Sequence, residues 1–168
     1  MIQHYKEVPS SKLSEIDNHL FAKEPSIIPA VLADKSYPEM DIDKSWDGIH
    51  FLLTGKSIRS KVENAEDDLR NWVVRGDVGF PEPSVEWGFV RVVAPKEVTR
   101  LASFLSDLKD EELKRKFNPK KMSKLGIYPE EVWEDDYTLE WLMDNYHKVK
   151  DFYIKMAGNG NGVLIWIN

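Results

Sequence analysis

Apolar residues recur every three or four positions in several stretches of the chain, and this period predicts amphipathic helices. The longest stripe runs from Leu139 to Met156. It is shorter than three heptads, so a helix facing the core is favoured over a coiled coil. Gly55 suits a left-handed helix cap and Pro95 suits the first turn of a helix. The predicted helices run from Ser10 or Ser11 to about Lys23, from Asp43 to Gly55, from Val62 to Gly76, from Pro95 to Leu108, through a short basic stretch ending at Lys124, and from about Asp136 to Ala157.

Three other segments have the pattern of β-strands. The first is Ile2 to Val8, which ends at Pro9. In Val85 to Val93 both alternating sets are mostly apolar, which predicts an interior strand covered on both faces. Val163 to Ile167 is too apolar for an exposed edge and is therefore expected inside the sheet. Together these elements predict one α+β domain over residues 1–168, with a small mixed sheet and an inner C-terminal strand packed under several helices.

Composition narrows the functional classes. The chain has 168 residues, 42% of them apolar, and a net charge of −6, which is typical of an acidic, folded, soluble protein. It contains no cysteine, which excludes a disulfide scaffold, a thiolate zinc site and a catalytic thiol. No stretch approaches the length of about 20 apolar residues that a membrane helix needs, and the first residues lack an apolar signal segment. We therefore expect a cytoplasmic protein that does not bind membranes.

Charge is distributed unevenly near the C-terminal third. A basic run between Lys114 and Lys124 is followed by an acidic run between Glu130 and Asp144. The acids cancel much of the field of the bases, and the whole molecule repels phosphate, so nucleic acid is not an expected partner.

Two glycine-containing segments resemble phosphate-binding motifs without satisfying them. Gly55-Lys56-Ser57 lacks the required earlier glycine, because His50 stands there. The segment from Gly158 to Gly162 connects a helix to a strand, which is the reverse of the dinucleotide-binding order. No cofactor and no metal are therefore predicted.

Asp43, Asp47 and His50 are the one group with possible chemistry. At spacings of four and three they would share one face of the helix predicted from Asp43. Two carboxylates and an imidazole are able to bind a metal or to act as an acid/base pair. The alternative is structural, with Asp43 as the N-cap, Asp47 near the positive end of the helix, and a buried His50 that needs a carboxylate partner.

A second candidate surface lies in the acidic run. Glu130, Glu131 and Glu134 surround Trp133, which among the six tryptophans is the one expected to be exposed. An acidic surface attracts basic proteins, so this segment is a candidate interaction surface.

Three blocks of sequence carry a family resemblance: Met40 to Gly55 (MDIDKSWDGIHFLLTG), Leu108 to Phe117 continuing to Gly126–Pro129, and Phe152-Tyr153 through Val163 to Ile167. They resemble the YfbM-like family, a bacterial domain of unknown function. The resemblance is weakest between Lys56 and Pro83. It implies a single α+β domain and carries over no activity, substrate or catalytic residue.

Two functional hypotheses follow. The leading one is a non-catalytic binding domain for a basic protein partner, with a neutralising or accessory role. The other is a hydrolase, with or without a metal, that uses Asp43, Asp47 and His50. An open cleft joining these three side chains would favour the enzyme, and a sealed His50 would remove its only site.

Overall fold

The C-terminal strand lies at the centre of a five-stranded sheet in the computed structural model, which describes residues 1–13, 15, 27–60, 69–81, 85 and 88–168. The strand order is β2-β1-β5-β4-β3, so both neighbours of the C-terminal strand are hydrogen-bonded to it, as its composition predicts. The strands are β1 (Gln3–Val8), β2 (Glu39–Asp41), β3 (Val78–Pro81), β4 (Phe89–Val93) and β5 (Gly162–Ile167).

Helices connect and cover these strands. The longest helix ends where Gly160 adopts a left-handed φ of 68°. The helix from Trp46 to Thr54 ends at Gly55, which has a φ of 75°, as predicted for that glycine. Residues 10–13 are helical, and the rest of the helix predicted to Lys23 lies outside the described residues. The helices with printed bounds are α1 (Ile28–Ala33), α2 (Trp46–Thr54), α3 (Leu69–Arg75), α4 (Pro95–Asp107), α5 (Asp110–Lys114), α6 (Pro119–Lys124) and α7 (Thr138–Asn159).

The α+β class is confirmed, but the expected mixture of parallel and antiparallel pairing is wrong. Each of the pairings between described strands is antiparallel. The connection from β4 to β5 contains two long helices, α4 and α7, which pack against each other. A single helical crossover would return the chain in the same direction, whereas two successive passes reverse it and make β5 antiparallel to β4.

The two faces of the sheet carry separate parts of the core. One face presents Tyr5, Val93 and Ile165 to the main layer of helices, including the buried stripe of α7. The other face presents Val90 and Leu164 to a smaller cluster that includes α1. The predicted core-facing stripe of α7 is confirmed at Leu142, Tyr146, Val149, Tyr153 and Met156. No helix among the described residues is long and apolar enough to cross a bilayer.

The strand predicted from Val85 to Val93 is shorter than its apolar pattern suggests. Gly88 has a φ of 68°, and its N–H donates to the carbonyl of Val85 over 2.9 Å, which forms a turn. The strand therefore begins at Phe89, whose side chain is 52% exposed. The prediction that both faces of this strand are covered fails at that end, and the uncovered end borders a cleft.

Candidate functional site

Asp43 does not belong to the helix on which its candidate role depends. It lies in the turn before α2 with a left-handed φ of 49°, and the N-cap of α2 is Ser45. The N–H of Asp43 instead donates to Oδ1 of Asp41 over 3.0 Å. Both readings that relied on a helical Asp43, the N-cap and the shared face with Asp47, are therefore wrong.

Asp47 is fully buried and joins α2 to the loop that follows it and to the distant loop at Tyr128. Its Oδ1 accepts from the N–H of Ile58 over 2.7 Å. Its Oδ2 accepts from the N–H of Tyr128 over 3.0 Å and from the hydroxyl of Ser57 over 3.3 Å. A buried carboxylate with these donors is stabilised in place, and its own side chain is not accessible to solvent.

His50 is also sealed, at 1% exposure. Its Nδ1 lies 3.0 Å from the carbonyl of Lys56, and its Nε2 lies 2.9 Å from Oδ1 of Asn71. Burial lowers the pKa of His50, although these hydrogen bonds oppose the shift. The ring is thus held by a backbone carbonyl and a side-chain amide, and the expected carboxylate partner is absent from the described hydrogen bonds.

The three catalytic candidates therefore do not converge on an open cleft. Asp43 is in a turn, and Asp47 and His50 are enclosed in the helical layer. Within the described residues no group of three or more His, Asp or Glu side chains is arranged to hold a metal ion.

The acidic segment is exposed, but its tryptophan is not. Glu130, Glu131 and Glu134 lie on the surface, whereas Trp133 is 1% exposed. The indole Nε1 of Trp133 donates to the carbonyl of Ile127 over 2.8 Å. A Cβ added at Gly48 of α2 would lie 2.7 Å from its ring, so the glycine leaves the space that the indole fills. The expectation of an exposed Trp133 is wrong, because a helix distant in sequence provides a site for it.

A cleft of about 220 Å³ opens at one end of the sheet, on the face that carries the main helices. Three arginines from three elements border it: Arg59 follows α2, Arg75 ends α3, and Arg91 lies in β4. We call this the arginine cleft. Its apolar wall includes Phe89 and Ile165.

Contacts within the described residues position the side chains of Arg75 and Arg91. Nη1 of Arg75 donates to the carbonyl of Ile58 over 2.7 Å. Arg91 extends over Gly79 of the neighbouring strand, where an added Cβ would lie 3.0 Å from its Nη1. None of the three arginines forms an ion pair with a carboxylate of the described residues. Burial, and then the charge of Arg91, lower the pKa of Arg75.

Gln3 adds a polar group to the same cleft. Its Nε2 donates to the carbonyl of Val74 over 2.6 Å, which fixes the amide. Its Oε1 is buried and has no hydrogen-bond partner in the described part of the chain. A buried acceptor without a donor is rare in proteins and costs about 1–3 kcal/mol, so this side of the cleft is less completely satisfied than the buried cluster on α2.

The arrangement is suited to binding an organic anion. Guanidinium groups match carboxylates and phosphates in geometry and charge, and the apolar wall contacts the rest of a ligand. None of the described residues that line the cleft carries a carboxylate, an imidazole, a hydroxyl or a thiol. The cleft therefore offers charge and shape without an evident acid, base or nucleophile.

Sequence patterns missed this cleft, although one signal was present. Arg91 interrupts the otherwise apolar run of β4, and a charged residue in an interior strand needs an explanation. Arg59 and Arg75 fall in the segment where the family resemblance is weakest, and nothing local connects them to Arg91.

Comparison with known proteins places the chain in a family. A family model described as a domain of unknown function (DUF1877) matches residues 1–166. Protein YfbM of Escherichia coli (strain K12) is 26% identical over 168 residues, which cover 98% of this chain and 96% of YfbM. A crystal structure of YfbM from Escherichia coli, described as a protein of unknown function, matches with a TM-score of 0.77 and 26% identity over 100% of both chains. The chain therefore belongs to the DUF1877 family and is similar to YfbM along its whole length.

Proposed function

We propose that this protein is a binding domain that takes an organic anion into the arginine cleft. The observation that carries the proposal is the convergence of Arg59, Arg75 and Arg91 on an apolar cleft without an ion-pair partner among the described residues. Holding like charges together is unfavourable unless a counter-ion completes the site. A ligand carboxylate or phosphate would supply that counter-ion.

The net charge of the whole chain determines the range over which the three arginines can attract a ligand. At a net charge of −6 the protein repels anions at long range, so the arginines act only at short range. A bound ligand must therefore gain its affinity from direct contacts in the cleft. Apolar contact with Phe89 adds to those contacts, and we expect small organic anions to bind more tightly than inorganic ones.

The hydrolase alternative depended on Asp43, Asp47 and His50, which do not meet at an open cleft. The buried Asp47 and His50 use their polar atoms for contacts within the chain, and the arginine cleft lacks an evident acid or base. These observations support a role in binding.

Calorimetric titration with 4-methylpentanoate tests the proposal, with 4-methylpentanamide as the uncharged analogue. We expect the carboxylate to bind and the amide to bind at least tenfold more weakly, since a charge-assisted hydrogen bond contributes about 1.5–3 kcal/mol. Arg59→Gln should weaken binding about tenfold, because Arg59 is exposed at the cleft. Arg115→Gln, an exposed arginine on the C-terminal side of α5, is the matched control and should leave binding unchanged. Equal affinity for the acid and the amide would contradict the proposal.

A second candidate is a surface for a basic protein partner, in a neutralising or accessory role. All five acids between Glu130 and Asp136 are exposed. The next residue, Tyr137, is an aromatic with 63% exposure. Tyr137 thus takes the place that Trp133 was expected to hold. Changing Glu130, Glu131 and Glu134 to Gln should slow association with such a partner and reduce its salt dependence. Unchanged association kinetics would remove this surface from consideration. A cytoplasmic location remains a prediction in both cases.

A further inference from the structure

We propose that the arginine cleft receives the C-terminal residue of a partner peptide, with the terminal carboxylate at the arginines and an apolar side chain against the wall. This inference rests on the proposed binding of an organic anion and names the class of ligand. It is carried by a separate observation, the way in which the sheet separates beside the cleft.

The pairing between β4 and β5 stops two residues short of the start of β4 and of the end of β5. Its last pair is Arg91 with Ile165. Beyond that pair, β5 continues to Ile167, which pairs with Gln3 of β1. On the other side, β4 continues back to Phe89, which pairs with β3. A gap therefore separates β4 from β5 at the level of Phe89 and Ile167, and both residues line the cleft.

Backbone groups of Ile167 and Phe89 face this gap. Ile2 and Asn168 exchange two backbone hydrogen bonds, so Asn168 directs its N–H and carbonyl toward β1. Neighbouring residues of an antiparallel strand direct these groups to opposite sides, so Ile167 directs its own toward β4. The pairing of Arg91 with Ile165 places Phe89, two residues earlier, on the β5 side of β4.

A peptide C-terminus has the chemical groups that this place lacks. An extended peptide pairs its backbone with exposed strand groups, and a free terminal carboxylate is a common target for guanidinium groups. A simple inorganic anion would use the arginines alone and would make no contact with the backbone of Ile167 and Phe89 or with the apolar wall.

The dimensions favour one terminal residue over a longer segment. The cleft measures about 220 Å³, below the range of about 300–1,000 Å³ that is usual for drug-sized ligands. The apolar wall contains Phe89, Ile165 and Ile167, so we expect a terminal leucine, isoleucine or valine. Acidic residues near the end of the peptide should be disfavoured by the overall charge of −6.

Calorimetry with matched ligands tests this inference on the full chain. The ligands are acetyl-Ala-Ala-Leu with a free carboxylate, the same peptide with a C-terminal amide, and 4-methylpentanoate, which keeps the carboxylate and the leucine side chain without a peptide N–H. We expect the acid peptide to bind at least tenfold more tightly than either of the other two. In amide NMR spectra of the complex, the Ile167 and Phe89 signals should shift.

The outcomes separate the inference from the function on which it rests. If 4-methylpentanoate binds as tightly as the acid peptide, the peptide inference is wrong and the anion-binding function stands. If the amide peptide binds as tightly as the acid, or if none of the three ligands binds, both are wrong. Phe89→Ala should weaken the acid peptide about fivefold, and Ile154→Ala, which truncates an exposed apolar residue of α7, should not. Equal behaviour of these two variants would also contradict the inference.

Discussion

The buried polar cluster on α2 and the arginine cleft differ in how their polar atoms are satisfied. Asp47 accepts hydrogen bonds from Ile58, Tyr128 and Ser57, and nothing further is needed to complete it. In the cleft, Arg91 has no carboxylate partner among the described residues, and Oε1 of Gln3 is buried without a donor. The cluster on α2, whose residue types suggest catalysis, is structural. The arginine cleft, some of whose polar groups lack partners among the described residues, is the better functional candidate. The presence or absence of hydrogen-bond and ion-pair partners therefore distinguishes a structural role from a functional one better than residue type does.

Hydrogen bonds through Ile58 also connect the buried cluster to the arginine cleft. Asp47 fixes the N–H of Ile58, and the carbonyl of Ile58 in turn accepts from Arg75. Arg59 follows directly in the chain. The buried carboxylate thus positions the loop that contributes to the cleft, although it does not touch the cleft itself.

The largest expected effect comes from removing the buried carboxylate. Asp47→Ala leaves the donors of Ile58, Tyr128 and Ser57 without their acceptor, which should lower the free energy of unfolding by about 3 kcal/mol. Urea denaturation measures the loss. Asp136→Ala, an exposed acid, should change stability by less than about 0.5 kcal/mol. A loss below 1 kcal/mol for Asp47→Ala would break the comparison, because the cluster would then not be structural.

Filling the space beneath Trp133 should have the next largest effect. The Cβ of Gly48→Ala would lie 2.7 Å from both Trp133 and Leu142, so the indole or the helix must shift. Overpacking of this kind costs about 1–3 kcal/mol. Gly158→Ala, where an added Cβ meets nothing within 4 Å, is the matched control. Thermal melting of both variants measures the difference, and equal melting temperatures would show that Trp133 is free to move.

The pH dependence of stability sharpens the view of His50. Burial lowers its pKa in the folded state below the usual value of about 6.5, so the unfolded chain takes up the proton first as the pH falls. The contribution of His50 to stability should therefore decline as the pH falls below about 6.5 and become constant below its folded pKa. His50→Gln should be less stable at pH 8 but show a flatter dependence between pH 7 and pH 5. A parallel dependence in the wild type and the variant would mean that the ring is not sealed.

The smallest effect on stability is expected in the arginine cleft itself. Arg91→Gln removes a positive charge that acts on Arg75, so the free energy of unfolding should stay within about 0.5 kcal/mol or rise slightly. Binding of 4-methylpentanoate should nevertheless fall about tenfold or more, since the guanidinium faces the ligand. Urea denaturation and calorimetry on the same preparation measure both quantities. A large loss of stability would make Arg91 a structural residue and remove the contrast between the two regions.

Several features of the fold were predictable because they depend on local patterns. The stripe of α7 needs only the helical period, and the left-handed cap at Gly55 and the first-turn Pro95 need only the backbone preferences of those residues. The inner position of β5 follows from its uninterrupted apolar run. The family resemblance was likewise present in contiguous blocks and is confirmed along the chain.

The site could not be predicted in the same way. Arg59, Arg75 and Arg91 each follow or lie in a different element, and their meeting depends on how α2, α3 and β4 pack. The partners of Asp47 include Tyr128, which is 81 residues away, and the burial of Trp133 depends on the space left at Gly48. The amino-acid sequence alone determined the stripe of α7, the cap at Gly55 and the inner strand β5, because period and backbone preference act over a few neighbouring residues. Only the tertiary structure decided which polar groups found partners, because hydrogen bonds and charges are completed by residues that packing brings together from distant positions.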